Sequence, residues 1–201
     1  MIYRFLFKVF FVRLDPEFAH ELVAGAMKIA AALGILRAKK AAKTSTVMGL
    51  EFENSIGMAA GFDKNGTLIR PLHALGFGHV EIGTVTPVGQ QGNPKPRLFR
   101  LPKNLSLINR MGFNNDGAEA VASRVGELRA KHKNLPIIGI NIGKNKTTSE
   151  QDAASDYKTA TRLLAPVADY LVINVSSPNT QGLRDLQRVA ALRPILEAVQ
   201  T

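Results

Sequence analysis

The chain has 201 residues, of which 45% are hydrophobic and 21% charged. This is an ordinary globular composition, and the length suffices for one domain with a sizeable core. The absence of Cys excludes a disulfide scaffold, a thiolate nucleophile and a thiolate-held iron–sulfur cluster within this chain. The four His residues (His20, His73, His79, His132) are scattered without metal-ligand spacing. The formal net charge is +10, and half of it falls within residues 1–46, where eight Lys or Arg face three Asp or Glu.

Residues 2–12 are apolar but broken by Arg4 and Lys8. The run is far shorter than the about 20 apolar residues that span a bilayer, and it lacks the small-residue cleavage site of a secretory signal. Asp15-Pro16 reads as an N-cap followed by a first-turn proline. The helix it opens is expected to run to about Leu33, with Phe18, Leu22, Ile29 and Leu33 along one side and Gly34 as the stop. Two short amphipathic helices with basic residues suit the interface of an anionic membrane. The alternative is a helix pair packed on the body of the protein. Residues 1–40 form the expected helical segment, Lys39–Thr46 a basic linker, and residues 47–201 the main domain.

Val47–Phe52 and Ser55–Ala60 are strand candidates about a turn at Glu53-Asn54. A repeating pattern follows. Strands are expected at Ile56–Ala60, His79–Thr84, Ile137–Asn141 and Tyr170–Asn174. Helices are expected at Gly66–Leu75, Asn115–Lys131, from a Ser149/Asp152 capping box to about Ala165, and at Leu183–Val199. Four strand–helix units in series predict a parallel sheet in an α/β fold. Polar residues recur at the carboxyl end of each strand: Gly61-Phe62-Asp63-Lys64, then Thr84, Asn141 and Asn174. That is where a (β/α)8 TIM barrel places its site, and four decorated strands in a row favour it over an open sheet with one switch point. A barrel needs eight units and about four are present, so the chain reads as the N-terminal portion of a longer protein, or as a half that pairs with another.

Three segments carry candidate chemistry. Asn174-Val175-Ser176-Ser177-Pro178-Asn179-Thr180 follows a buried apolar strand and presents two carboxamides and three hydroxyls, with no formal charge. It suits a flat polar ligand, and equally an ordinary strand-to-loop junction. Ala59–Lys64 sets small residues where a backbone approaches a ligand, then a compact cation. Ile108–Asn115 lies in a long excursion of the kind that forms binding loops. Asn109 offers bidentate amide recognition and Phe113 a wall against water. Lys144 and Lys146 lie in a Gly-containing loop that lacks the spacing of a Walker phosphate loop.

These segments together closely resemble dihydroorotate dehydrogenases of the membrane-associated, quinone-linked class. The resemblance rests on Ala-Ala-Gly-Phe-Asp-Lys (59–64), Glu-Ile-Gly-Thr-Val-Thr-Pro (81–87), Lys-Pro-Arg-Leu-Phe-Arg (95–100), Ile-Asn-Arg-Met-Gly-Phe-Asn-Asn (108–115), Gly-Ile-Asn-Ile-Gly-Lys-Asn-Lys (139–146) and Asn-Val-Ser-Ser-Pro-Asn-Thr (174–180). It implies a TIM barrel that binds FMN and oxidises dihydroorotate to orotate in pyrimidine synthesis, with a quinone as acceptor. It implies that Ala60, Gly61, Phe62, Asp63, Lys64, Thr84, Asn141 and Asn174 face the flavin. Lys64, Asn109, Arg110, Met111, Gly112, Phe113, Asn174 and Asn179 are then implied to hold the substrate, with Ser177 as catalytic base and Thr180 as its proton relay. The resemblance further implies peripheral association with the cytoplasmic face of a bacterial inner membrane, a monomer when complete, and no metal or nucleic-acid partner. Competing readings are another FMN barrel oxidoreductase and a membrane-binding fragment without activity.

Overall fold

The computed structural model describes residues 2–37 and 44–200. Two helices open the chain, α1 (Ile2–Val9) and α2 (Pro16–Ala32), separated by a short 3-10 turn. Asp15 caps α2 as expected, its Oδ1 accepting from the backbone N–H groups of Glu17 and Phe18 at 3.0 Å each. The apolar side predicted for this helix faces outward: Phe18 is 54%, Leu22 53%, Ile29 63% and Leu33 70% exposed. What α2 buries instead is Ala19, Ala24 and the carboxylate of Glu17. Residues 39–43 of the expected linker, and the boundary placed at residue 40, lie outside the described residues.

The hairpin sits earlier than its sequence signal. Strand β1 (Ser45–Val47) pairs antiparallel with β2 (Leu50–Phe52), and the turn is Met48-Gly49, both at positive φ (51° and 77°). Thr46 therefore belongs to a strand and Val47–Phe52 is split in two. Asn54 is no hairpin residue. Its side chain donates to Gly76 O and accepts from Ile56 N, bracing the approach to the next strand.

The main body follows the predicted alternation: β3 (Gly57–Met58), α3 (Ile69–Ala74), β4 (His79–Val85), then a long excursion, α4 (Ala118–Lys131), β9 (Ile137–Ile142), α5 (Ala153–Leu164), β10 (Tyr170–Ile173) and α6 (Val189–Gln200). The excursion holds β5 (Val88–Gln90), β6 (Leu98–Leu101), β7 (Ser106–Asn109) and β8 (Asn115–Gly117). Asn115, expected to begin a helix, instead lies in β8, which pairs antiparallel with β5. Ser149 and Asp152 bond before α5, but Asp152 accepts from the Ser149 hydroxyl rather than its backbone N–H and is itself the N-cap of α5, so the expected capping box is only half formed. Leu183–Gln187 forms a 3-10 turn rather than the first turns of α6, and Arg188 between them is extended.

Strands β3, β4, β9 and β10 form one parallel sheet in chain order, each beside the next. One face carries Val80, Ile82, Ile138, Ile140 and Ile142, all fully buried in a core with Val121, Val125, Tyr157, Ala160 and Leu164 from α4 and α5. The opposite face carries Glu81, Gly139, Asn141 and Tyr170 toward the cavity side of the sheet. Gly139 is required there: a Cβ would fall on the Tyr170 ring of the neighbouring strand.

Candidate active site

A cavity of about 1030 Å³ opens at the carboxyl ends of the sheet strands, under α2 and beside the β6–β7 hairpin. It is lined by every predicted site residue except Arg110 and Thr180. Arg110 does not line it. Its chain is instead held by backbone, Arg110 N donating to Arg97 O at 2.8 Å and Arg110 O accepting from Asn93 Nδ2 at 2.9 Å.

The centre of the site is a polar cluster drawn from three adjacent strands. Thr84 is the penultimate residue of β4, Asn141 lies in β9 and Asn174 follows β10. Thr84 Oγ1 donates to Asn141 Oδ1 at 2.6 Å. Asn174 Nδ2 donates to Thr84 Oγ1 at 2.9 Å and to Asn141 Oδ1 at 3.1 Å. Strict alternation along β4 would set Glu81 and Thr84 on opposite faces. The pairing of β4 with β9 shifts register between Ile82 and Val85, and this irregularity brings Thr84 round to the Glu81 side. Gly143, just beyond β9, leaves room for the cluster, since a Cβ there would stand 2.8 Å from Thr84 Cγ2 and 3.2 Å from Phe113 Cε2.

Lys64 reaches the cavity from the loop after β3, its Nζ donating to Gly61 O at 2.8 Å. Burial lowers its pKa; the nearby Glu17 charge opposes this and Arg97 adds to it. Asp63 lies beside it but serves the fold. Its carboxylate accepts from Thr67 N at 2.9 Å and Leu68 N at 2.7 Å, capping the approach to α3. Phe62 packs edge-on against His20 of α2, with ring centroids 4.8 Å apart. Burial, and after it the charge on Lys64, lowers the His20 pKa.

The loop after β10 places Ser177 and Asn179 on the cavity wall, while Thr180 is buried beneath it. Ser177 Oγ accepts from Asn179 N at 3.2 Å, and Asn179 Nδ2 donates to Asn109 O at 3.1 Å. Two loops far apart in sequence are thus tied together across the site. Phe113 holds a left-handed backbone (φ 55°), uncommon for a bulky residue and typical of functional loops. Lys144 is only 2% exposed. It spends its ammonium on backbone carbonyls of Thr148 (2.8 Å) and Asn145 (3.3 Å), so it braces its own loop. Lys146 donates to Asn93 Oδ1 at 3.0 Å.

Sequence reasoning missed several lining residues: Glu17 and His20 on α2, Glu81 on β4, Arg97 and Leu98 beside the hairpin, and Asn114. Glu81 stood within a quoted motif, and an acidic residue in an otherwise apolar strand was a usable signal. The pairing of Glu17 with Arg97 carries no local signal.

A family model described as dihydroorotate dehydrogenase matches residues 42–201. A dihydroorotate dehydrogenase (quinone) of Nocardioides sp. is 53% identical over 209 aligned positions, covering 99% of this chain and 58% of that protein. One of Methylococcus capsulatus is 52% identical over 202 positions, with the same coverage of 99% and 58%. A crystal structure of DHODH from Eimeria tenella in complex with ferulenol matches with a TM-score of 0.82 at 43% identity, covering 92% of this chain and 50% of that one. The chain thus spans little more than half the length of the relatives it matches. By the match of motif, sequence and fold, it belongs to the dihydroorotate dehydrogenase family.

Proposed function

We propose that this chain carries the flavin- and substrate-facing half of a quinone-linked dihydroorotate dehydrogenase. The carrying observation is convergence: Thr84, Asn141 and Asn174 from three adjacent parallel strands meet Lys64, Ser177 and Asn179 on one cavity. Parallel strands adjacent in chain order, with polar groups at their carboxyl ends, support the reading of this sheet as the first half of a TIM barrel.

The cavity suits FMN and a pyrimidine. Its volume lies at the upper end of ligand sites. An added Cβ at Gly61 meets nothing within 4 Å, so the backbone there lies open to a flat ring. The amides and hydroxyl of Thr84, Asn141 and Asn174 match the polar edge of an isoalloxazine. When bound, FMN supplies the acceptor for the hydride leaving C6 of dihydroorotate.

The chain's own residues do the rest. The Lys64 ammonium faces the substrate carboxylate. Asn109 and Asn179, joined by their own hydrogen bond, read the amide edges of the pyrimidine. Phe113 covers the ring and keeps water away. Ser177 Oγ takes the C5 proton as it gives up its own hydroxyl proton, and the N–H of Asn179 holds that oxygen in place. Thr180 relays that proton onward.

The test is the visible spectrum of the purified chain supplied with FMN, before and after anaerobic dihydroorotate. The expected result is a bound flavin band that bleaches with dihydroorotate and returns on adding a quinone, but not NAD or fumarate. A band that dihydroorotate leaves unchanged would refute the reading.

The outward apolar side of α2, together with exposed Phe5, Phe10 and Val9 of the first helical segment, is proposed to rest in the headgroup layer of an anionic inner membrane and pass quinone to the cavity. No helix among the described residues is long and apolar enough to cross a membrane. Co-sedimentation with anionic liposomes is expected, and is expected to be lost in Phe18→Glu/Leu22→Glu. Equal sedimentation of the two would place the contact elsewhere.

A further inference from the structure

Glu81 is an acidic group that no proposed step uses, yet it stands at the base of the polar cluster. Its Oε1 accepts from Asn141 Nδ2 at 2.9 Å. Its Oε2 accepts from Tyr170 OH at 3.5 Å, and burial together with the Glu81 charge pushes the Tyr170 pKa up to about 12. Tyr170 is itself seated against Gly139 of the intervening strand.

An ionised carboxylate offers acceptors only, whereas a carboxamide offers a donor end and an acceptor end. Glu81 therefore decides which way Asn141 is turned, with its NH2 toward Glu81 and its carbonyl toward Thr84 and Asn174. That orientation propagates. Asn141 Oδ1 takes the Thr84 hydroxyl proton, which leaves Thr84 Oγ1 as an acceptor for Asn174 Nδ2. The Asn174 carbonyl is then free to accept from both N and Oγ of Ser176, each at 3.0 Å. Were Asn141 turned over, its NH2 would confront the NH2 of Asn174, donor against donor.

We propose that Glu81 is a positioning residue: it sets the donor–acceptor polarity of Asn141, Thr84 and Asn174, and through Ser176 the shape of the loop that carries Ser177. The polarity belongs to the ligand-free chain; its consequence for flavin binding rests on the function proposed above.

The test compares Glu81→Met, of similar size but without an acceptor, with Glu81→Gln, which keeps one acceptor oxygen. Side-chain amide NMR signals of the ligand-free chain report the polarity, flavin fluorescence quenching reports FMN affinity, and backbone amide signals of α4 and α5 verify the fold of each variant. Glu81→Met is expected to move the Asn141 and Asn174 NH2 signals and to weaken FMN binding about tenfold, the loss of one bond to a charged acceptor. Glu81→Gln is expected to restore the signals and bring affinity within about twofold of the parent, because an acceptor is kept. Unmoved amide signals in Glu81→Met would overturn the proposal. So would equal effects of Met and Gln, which a role in charge alone predicts. If the parent chain fails to quench FMN, the flavin reading fails for this chain, while the amide signals still decide the polarity.

Discussion

Replacing Ser177 by Ala is expected to slow flavin reduction by dihydroorotate about 10²–10⁴-fold, the range a positioned general base contributes. Dihydroorotate binding is expected to change little, because the carboxylate and amide contacts are proposed to fall to Lys64, Asn109 and Asn179. Serine is a poor base unless its own hydroxyl proton can leave as it accepts another. Here Ser177 Oγ receives the N–H of Asn179, and Asn179 is anchored to Asn109 across the site, so the oxygen is held in place by groups that do not titrate. Ser177→Cys places a more acidic base at the same point. It is expected to retain reduction, with the rate–pH profile displaced toward lower pH. Anaerobic stopped-flow absorbance measures both. A Ser177→Ala chain that bleaches its flavin at the parent rate would move the base to another residue.

The second large effect concerns the joint between α2 and the body. Glu17 and Arg97 lie 80 residues apart yet are 7% and 8% exposed, with Arg97 Nε donating to Glu17 Oε1 at 2.7 Å. Lys95 Nζ reaches the other carboxylate oxygen at 2.9 Å, and Arg97 also donates to the carbonyls of Gln91 (2.6 Å) and Asn93 (2.9 Å). Arg97→Leu leaves a buried carboxylate with one exposed cation as partner, and two carbonyls unpaired. The expected loss is about 3 kcal/mol, the low end for breaking a buried pair because Lys95 remains. Glu17→Leu/Arg97→Leu is expected to lose less than Arg97→Leu, because no charge is then stranded. Urea unfolding of the three chains decides it. A double variant as damaged as the single would show that packing, not charge, holds the joint.

The same joint responds to acid. Burial raises the Glu17 pKa, but the hydrogen bonds and charges of Lys95 and Arg97 outweigh it and hold it below its ordinary value of 4.5. A carboxyl depressed in the folded state contributes its stability in full above the ordinary value and loses it as pH falls through the depressed one. The advantage of the parent over Glu17→Gln is therefore expected to be constant above about pH 5 and to shrink below pH 4.5.

Much of this protein was legible because the signals are local. Apolar strand runs such as Tyr170–Ile173, expected to be buried but only half-buried at the edge of the sheet, and the Asp15-Pro16 helix start depend on a few neighbouring residues. So does the recurrence of polar groups at strand ends, which located the cavity before any geometry was known. Where local rules misled, a longer-range contact had prevailed. Glu53-Asn54 looked like a hairpin turn, but Asn54 is engaged by Gly76, and the turn fell to Met48-Gly49, where Gly49 takes positive φ at no steric cost and Met48 is carried into it by the pairing of β1 with β2. Asn115 looked like a helix start, but it pairs with Gln90 in β8 and bonds the backbone of Thr86.

The sequence by itself determined the alternation of strands and helices and the parallel sheet, since periodicity and turn chemistry are written within a few positions, while the cavity residues it supplied came from the resemblance of its motifs. Tertiary structure alone decided which of them meet. It turned Thr84 through a register shift toward Asn141 and kept Arg110 off the cavity wall. It also closed two charge-bearing contacts, Glu17 with Arg97 and Glu81 with Asn141. These last two bring groups 80 and 60 residues apart within hydrogen-bond range, a separation no local pattern encodes.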